Sequence, residues 1–135
     1  MFCEETSAHD RKLVEKVWGS EDWIVNNNDY CGKILNLAPD GVSSLHKHRV
    51  KKETFLVIAG TVLLEIMIVE NTPEFHVLRS WALDAITIKP GVPHRFRALD
   101  GPATVIEFST HHEDADVVRL EPSFRLPDEP FESTT

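Results

Sequence analysis

His46, His48 and Glu53 fall within eight positions of one another, inside the stretch GVSSLHKHRVKKETFLVIAG from Gly41 to Gly60. Two imidazoles and a carboxylate at the spacing H-x-H-x4-E are metal-ligand chemistry. Successive side chains of an extended segment alternate faces, so His46 and His48 project the same way. Glu53 has the opposite parity and must be re-aimed by a turn, which the polar stretch Arg49–Lys52 suits. After it, ETFLVIAG reads as a buried strand ending at Gly60. A fourth ligand then has to come from elsewhere. His94 is the candidate, because it follows the turn Pro90-Gly91-Val92-Pro93 and opens a strand. Three imidazoles and one carboxylate form a mixed nitrogen–oxygen set for one divalent transition metal, manganese first, with iron, cobalt, nickel or zinc as alternatives. His9 and His76 have no such company and read as ordinary side chains.

The elements that must position these residues are short strands. EDWIV, YCGKILNLAP, TVLLEIMIVE, EFHVLRSW, DAITIK, HRFRAL and TVIEFST are β-branched or apolar runs separated by turn clusters. Turn signals recur at about ten-residue intervals, which predicts an all-β sandwich or barrel. Residues 1–17 are expected to be an N-terminal arm or edge strand, with 11–17 fitting a short helical turn equally well. Residues 18–120 form the barrel. The tail 121–135, rich in proline and acidic residues, is expected to be extended or disordered.

Bulk properties narrow the function. With 135 residues, 41% of them hydrophobic and 27% charged, the chain has enough apolar material for one core. Its net charge of −8 excludes nucleic acid as a partner and disfavours an anionic membrane surface. No apolar run approaches the ~20 residues of a membrane span. The start MFCEETSAHD lacks signal-peptide character, and Cys3 and Cys31 are too few for a disulfide framework. Both read as reduced thiols of a cytoplasmic protein.

The two histidine-bearing segments resemble the paired motifs of the cupin family, G-x5-HxH-x3,4-E-x6-G and G-x5-P-x-G-x2-H-x3-N. Gly41, His46, His48, Glu53 and Gly60 match the first; Pro90, Gly91 and His94 lie in the second. Four residues instead of five separate Gly41 from His46, and Leu83, Lys89 and Ala98 stand where the motif has Gly, Pro and Asn. No ligand position is among these departures. The resemblance implies a cupin architecture, a jelly-roll barrel (double-stranded β-helix) of two antiparallel sheets. More narrowly, WGSEDWIV, KILNL, the ligand motifs and EDADVVRLEPS occur in an order similar to the cupin domain of type II phosphomannose isomerases. They also resemble small sugar isomerases of the D-lyxose type, over residues 16–123.

That resemblance implies a metal-dependent aldose–ketose isomerase acting on a small sugar, and a homodimer. Such chemistry needs a Lewis-acid metal at O1 and O2 and a positioned acid/base. Glu107, between apolar neighbours in TVIEFST, is the candidate carboxylate, and Lys33 in CGKILNL is the candidate partner for the sugar oxygens. Glu65 is a further possibility. Phe96 shares the parity of His94 and is expected to line the pocket, whereas Arg95 and Arg97 point away. His111, His112 and Arg119 sit in STHHEDADVVRL, a segment expected to cover the barrel mouth, where His111 and Arg119 bind sugar hydroxyls. The competing readings are a cupin dioxygenase and a non-enzymatic metal-containing sugar-binding module.

Overall fold

The protein was examined as a computed structural model, which describes residues 2–69 and 72–127. Strand β1 (Lys12–Lys16) is an exposed edge paired antiparallel with β2 (Gly19–Asn26), which pairs with β3 (Cys31–Leu37). The short β4 (Gly41–Val42) and β5 (Leu45–His48) carry the first half of the histidine stretch. Strand β6 (Glu53–Val69) pairs with β7 (Thr72–Arg79) and with β8 (Ala85–Ile88). The long β9 (His94–Ser109) pairs with β3, β4, β5 and β6. Finally β10 (Val117–Glu121) pairs with β5 and β11 (Phe124–Arg125) with β4. All of these pairings are antiparallel. Among the described residues, no helix is long and apolar enough to cross a membrane.

Two sequence expectations need correcting. The strand expected to end at Gly60 does not end there, and HRFRAL and TVIEFST are not separate strands. Strand β6 runs through Gly60, with register shifts against β9 between Val57 and Ala59 and between Ala59 and Thr61. Strand β9 bends at Asp100 and Gly101, whose φ angles are 56° and 123°. Bulges leave extra residues unpaired and bend a strand while the ladder continues. Each long strand thus serves both layers of the barrel, and one hydrogen-bonded system folds into two facing sheets. A further difference concerns residues 11–17, where the helical alternative gives way to β1. In the tail, the segment through Arg125 is held against β4, and residues 128–135 lie outside the described ones.

Alternation along β3, β6 and β9 decides what is inside. Leu35, Leu37, Phe55, Val57, Val62, Leu64, Phe96, Ala98 and Val105 pack as one apolar cluster with Trp18. Trp18 meets Phe96 edge-on at 5.2 Å between ring centroids, and Phe55 meets Phe96 at 5.8 Å. Truncation of such a buried aromatic ring typically costs about 3–5 kcal/mol. These rings are also the floor on which the polar end of the barrel rests.

The bend at Gly60 allows a prediction. Its φ is +76°, and a Cβ there would lie 2.5 Å from the Pro102 carbonyl oxygen; Gly91, at φ +84°, has open space around it. Gly91→Ala should therefore cost about 1–2 kcal/mol, the left-handed backbone alone. Gly60→Ala should cost about 1–3 kcal/mol more, because backbone must also shift. Urea unfolding of the two variants measures the difference.

Candidate metal centre and its cavity

Three short pieces of chain bring the ligand candidates together. His46 and His48 lie on β5, Glu53 is the first residue of β6, and His94 is the first of β9. His46 and His94 are direct cross-strand partners. The Gly91 N–H donates to the His48 carbonyl at 2.7 Å, which ties the Pro90–Pro93 turn to the histidine strand. Glu53 is re-aimed by the turn after His48. Asp116 pins that turn, its carboxylate accepting from the N–H groups of Val50 at 2.9 Å and Lys51 at 3.0 Å.

One ligand atom from each of the four residues lies within 4.8 Å of all the others. Glu53 Oε2 is 2.9 Å from His94 Nε2 and 3.2 Å from His48 Nε2. Ligand atoms held ~2.1 Å from a shared ion at right angles would be ~3 Å apart, so these separations suit a transition metal. The outer nitrogens fix the ring orientations. Nδ1 of His46 donates to the Ser44 carbonyl and Nδ1 of His94 to the Val92 carbonyl, each at 2.9 Å, so both Nε2 atoms turn inward. Glu53 Oε2 and His94 Nε2 are fully buried and have no partner of hydrogen-bond geometry among the described residues. A buried polar atom left in that state costs about 1–3 kcal/mol, more if charged, and a cation between them removes the penalty. The donor set fits a divalent transition metal, with His46, His48, Glu53 and His94 as its holders.

The protonation states agree with that use. Burial pulls the His46 imidazole down to about 3, helped by the neighbouring His94 and His48 and opposed by the Ser44 carbonyl and Glu53. Burial alone would raise Glu53. The imidazoles of His48 and His94 and the charge of Lys51 outweigh it, holding the carboxyl well below its ordinary range. Metals bind these deprotonated forms.

A cavity of about 90 Å³ opens beside the group. Lys33 and Glu107, cross-strand partners on β3 and β9, are both buried and face it. They do not pair with each other. Lys33 Nζ lies 3.4 Å from Glu21 Oε1 and 4.1 Å from the centre of the Trp23 ring. Glu107 Oε2 accepts from Lys51 Nζ at 3.0 Å and from Ser109 Oγ at 3.1 Å. Phe96 lies in the floor, and Arg119, opposite His46 on β10, reaches the cavity from the solvent side.

His111 lies elsewhere. Its Nδ1 donates to the Asn27 carbonyl at 2.8 Å and its Nε2 is 3.3 Å from Glu113, in a separate surface hollow. Its neighbour His112 occupies the cavity instead. The Asn26 amide clamps the His112 backbone, accepting from its N–H at 2.9 Å and donating to its carbonyl at 3.1 Å. That clamp turns the His112 ring in against Trp23, at 5.1 Å. Glu65 also points away from the cavity and pairs with Arg95 at 3.3 Å. Sequence reasoning named His112 together with His111, and it missed Lys51. For Lys51 a signal existed, since it shares the inward parity of Glu53, Phe55 and Val57; assigning it to a polar turn concealed this.

No protein-family model matches the chain, and a search of curated proteins finds no match. Solved structures do match in fold. A structure of CapF bound to the inhibitor 3-isopropenyl-tropolone aligns with a TM-score of 0.74 at 20% identity, over 82% of this chain and 34% of that one. The capsular polysaccharide assembling protein CapF from Staphylococcus aureus aligns at 0.70 and 18% identity, over 86% and 34%. Oxalate decarboxylase from Bacillus subtilis aligns at 0.72 and 17% identity, over 84% and 31%. This chain thus spans about a third of the length of these proteins. These are cupin-fold proteins, and the all-β barrel described above is a cupin fold. Its three histidines and one glutamate fit a metal-dependent cupin.

Acid should destabilise the metal-stripped protein. His112 is lowered to about 4, chiefly by burial and then by the charges of Lys33 and Lys51, while Asp114 opposes the shift. The unfolded chain protonates both His46 and His112 near 6.5, the folded protein only near 3 and 4. Between those values the unfolded chain binds more protons, so stability falls as pH falls; the depressed Glu53 adds in the same direction. The urea midpoint of stripped protein should drop steadily from about pH 7 to about pH 4, and His112→Gln should flatten that slope.

Proposed function

We propose that this protein is a metal-dependent aldose–ketose isomerase acting on a small free sugar of the D-lyxose or D-mannose type. The observation that carries the reading is a buried carboxylate, Glu107, facing the same cavity as the metal-ligand group. When bound, the metal, with manganese the first choice, supplies Lewis-acid polarisation of the sugar's carbonyl. Glu107 takes the proton from C2 while the C1 carbonyl oxygen gains one from solvent, to which the O2 proton is later returned, and this gives an enediol. The same carboxyl returns a proton to C1 as the O2 hydroxyl loses its own, and the ketose results. Lys51 and Ser109 both donate to Oε2 of Glu107, and Oε1 accepts no hydrogen bond among the described residues, which leaves it for the substrate.

Lys33 and Arg119 supply donors to sugar oxygens, and Phe96 offers an apolar face to the carbon chain of the open-chain sugar. A sugar is supported over other substrates by the narrower sequence resemblance and by a polysaccharide-assembling protein among the similar folds. A homodimer through the β1 edge, where Leu13 and Val17 are exposed, belongs to the same reading.

Protein loaded with manganese or cobalt should interconvert an aldose and its ketose when assayed across free and phosphorylated pentoses and hexoses. Glu107→Gln should lower kcat about 10²–10⁴-fold with metal content unchanged. Full activity in that variant removes Glu107 from the chemistry. A sugar-dependent thermal shift without turnover by the wild type would replace the enzyme with a binding module.

A further inference from the structure

Lys51 is 3% exposed, and it is itself neither a ligand candidate nor the acid/base. An ammonium has three protons, and this one has two hydrogen-bond partners and a third, longer ion-pair partner. Its Nζ lies 3.4 Å from Glu53 Oε1, 3.0 Å from Glu107 Oε2 and 3.1 Å from His112 Nδ1. His112 can accept there because its Nε2 faces Asp114 at 2.9 Å. The backbone is held as firmly as the side chain. The Asp116 carboxylate accepts from the Lys51 and Val50 N–H groups, and the Asp116 carbonyl accepts from Arg49 N–H at 3.2 Å. Meanwhile the other oxygen of Glu53, Oε2, faces His48 and His94.

The two oxygens of Glu53 are therefore divided between a lysine and the ligand group. A carboxylate beside a metal ion can ligate through one oxygen or two. We propose that Lys51 is a positioning residue of the metal centre. It keeps Oε1 of Glu53 for itself, so that Oε2 is the single oxygen offered to the metal. The same ammonium holds Glu107 Oε2, which keeps that carboxylate at the cavity and out of the ligand set. A second cation at this position also repels metal from both retained oxygens. This inference rests on the metal-centre reading and is independent of isomerisation.

Cobalt-loaded protein provides the test, because the visible spectrum of Co²⁺ reports coordination number and its affinity follows from chelator competition. Lys51→Met removes a charge that repels the ion and frees further carboxylate oxygens to ligate it, so cobalt binding should tighten about tenfold or more. The visible bands should shift and lose intensity as Glu53 becomes bidentate or Glu107 joins the set. Lys51→Arg, which keeps charge and donors, should return the spectrum toward wild type. A lysine that only stabilised the fold would move the unfolding midpoint and leave the cobalt spectrum and affinity unchanged, and that result overturns the proposal. If Lys51→Met does not fold, the comparison is made between Lys51→Met/Glu107→Gln and Glu107→Gln, which buries one charge fewer; equal spectra and affinities overturn the proposal there too. Wild-type protein that binds no cobalt would overturn the metal centre itself, and the proposal with it.

Discussion

The carboxylate of Glu53 sets the terms for the rest of the molecule. It is 2% exposed, and taking an ion out of water costs several kcal/mol unless both of its oxygens are met. Oxygen Oε1 is met by Lys51, and Oε2 is brought to His48 and His94, where a divalent cation would complete it. Imidazoles on one side and an ammonium on the other make this a site with a defined direction. A metal ion would be accommodated at Oε2 and kept from Oε1. The turn pinned by Asp116, the start of β6 and the start of β9 all converge on that requirement.

Bent strands make the convergence possible. Because β6 and β9 run through both layers, their first residues, Glu53 and His94, sit at the polar end of the barrel while their middles build the apolar core. Phe55 and Phe96 lie two residues beyond these ligands on the same faces and form the floor of the cavity. Alternation along a strand thus converts a two-residue step into the boundary between chemistry and packing. The floor also keeps water from below, which strengthens each electrostatic interaction above it.

Across the cavity, charge is distributed in buried pairs with separate jobs. Lys33 is taken up by Glu21 and the Trp23 ring, and Glu107 by Lys51 and Ser109. A strand-by-strand reading would pair Lys33 with Glu107, since they are cross-strand neighbours. The lysine leans the other way instead, toward β2 on the opposite side of β3, where Glu21 and the Trp23 ring take it up. Burial, and after it the charges of Lys33 and Lys51, keep His112 neutral and able to accept from Lys51.

His46, His48, Glu53 and His94 were legible because their chemistry is rare and their spacing obeys strand parity and turn signals. The all-β class was legible for the same reason, since period-two alternation and turn residues are local properties of a chain. Strand ends at Gly60 and near Asp100 were misread, because a glycine that bends a strand and one that terminates it look alike until the pairing partner is known. His111 and His112 differ by one position, and only the Asn26 clamp from a distant strand chooses which ring turns inward. Lys51 had the correct parity but lay in a stretch that reads as a solvated turn. What the sequence determined by itself was the ligand set and the strand-rich fold, both written in neighbours along the chain. Only the tertiary structure decided how the buried charges pair, because burial and the partners that make it tolerable come from residues dozens of positions apart.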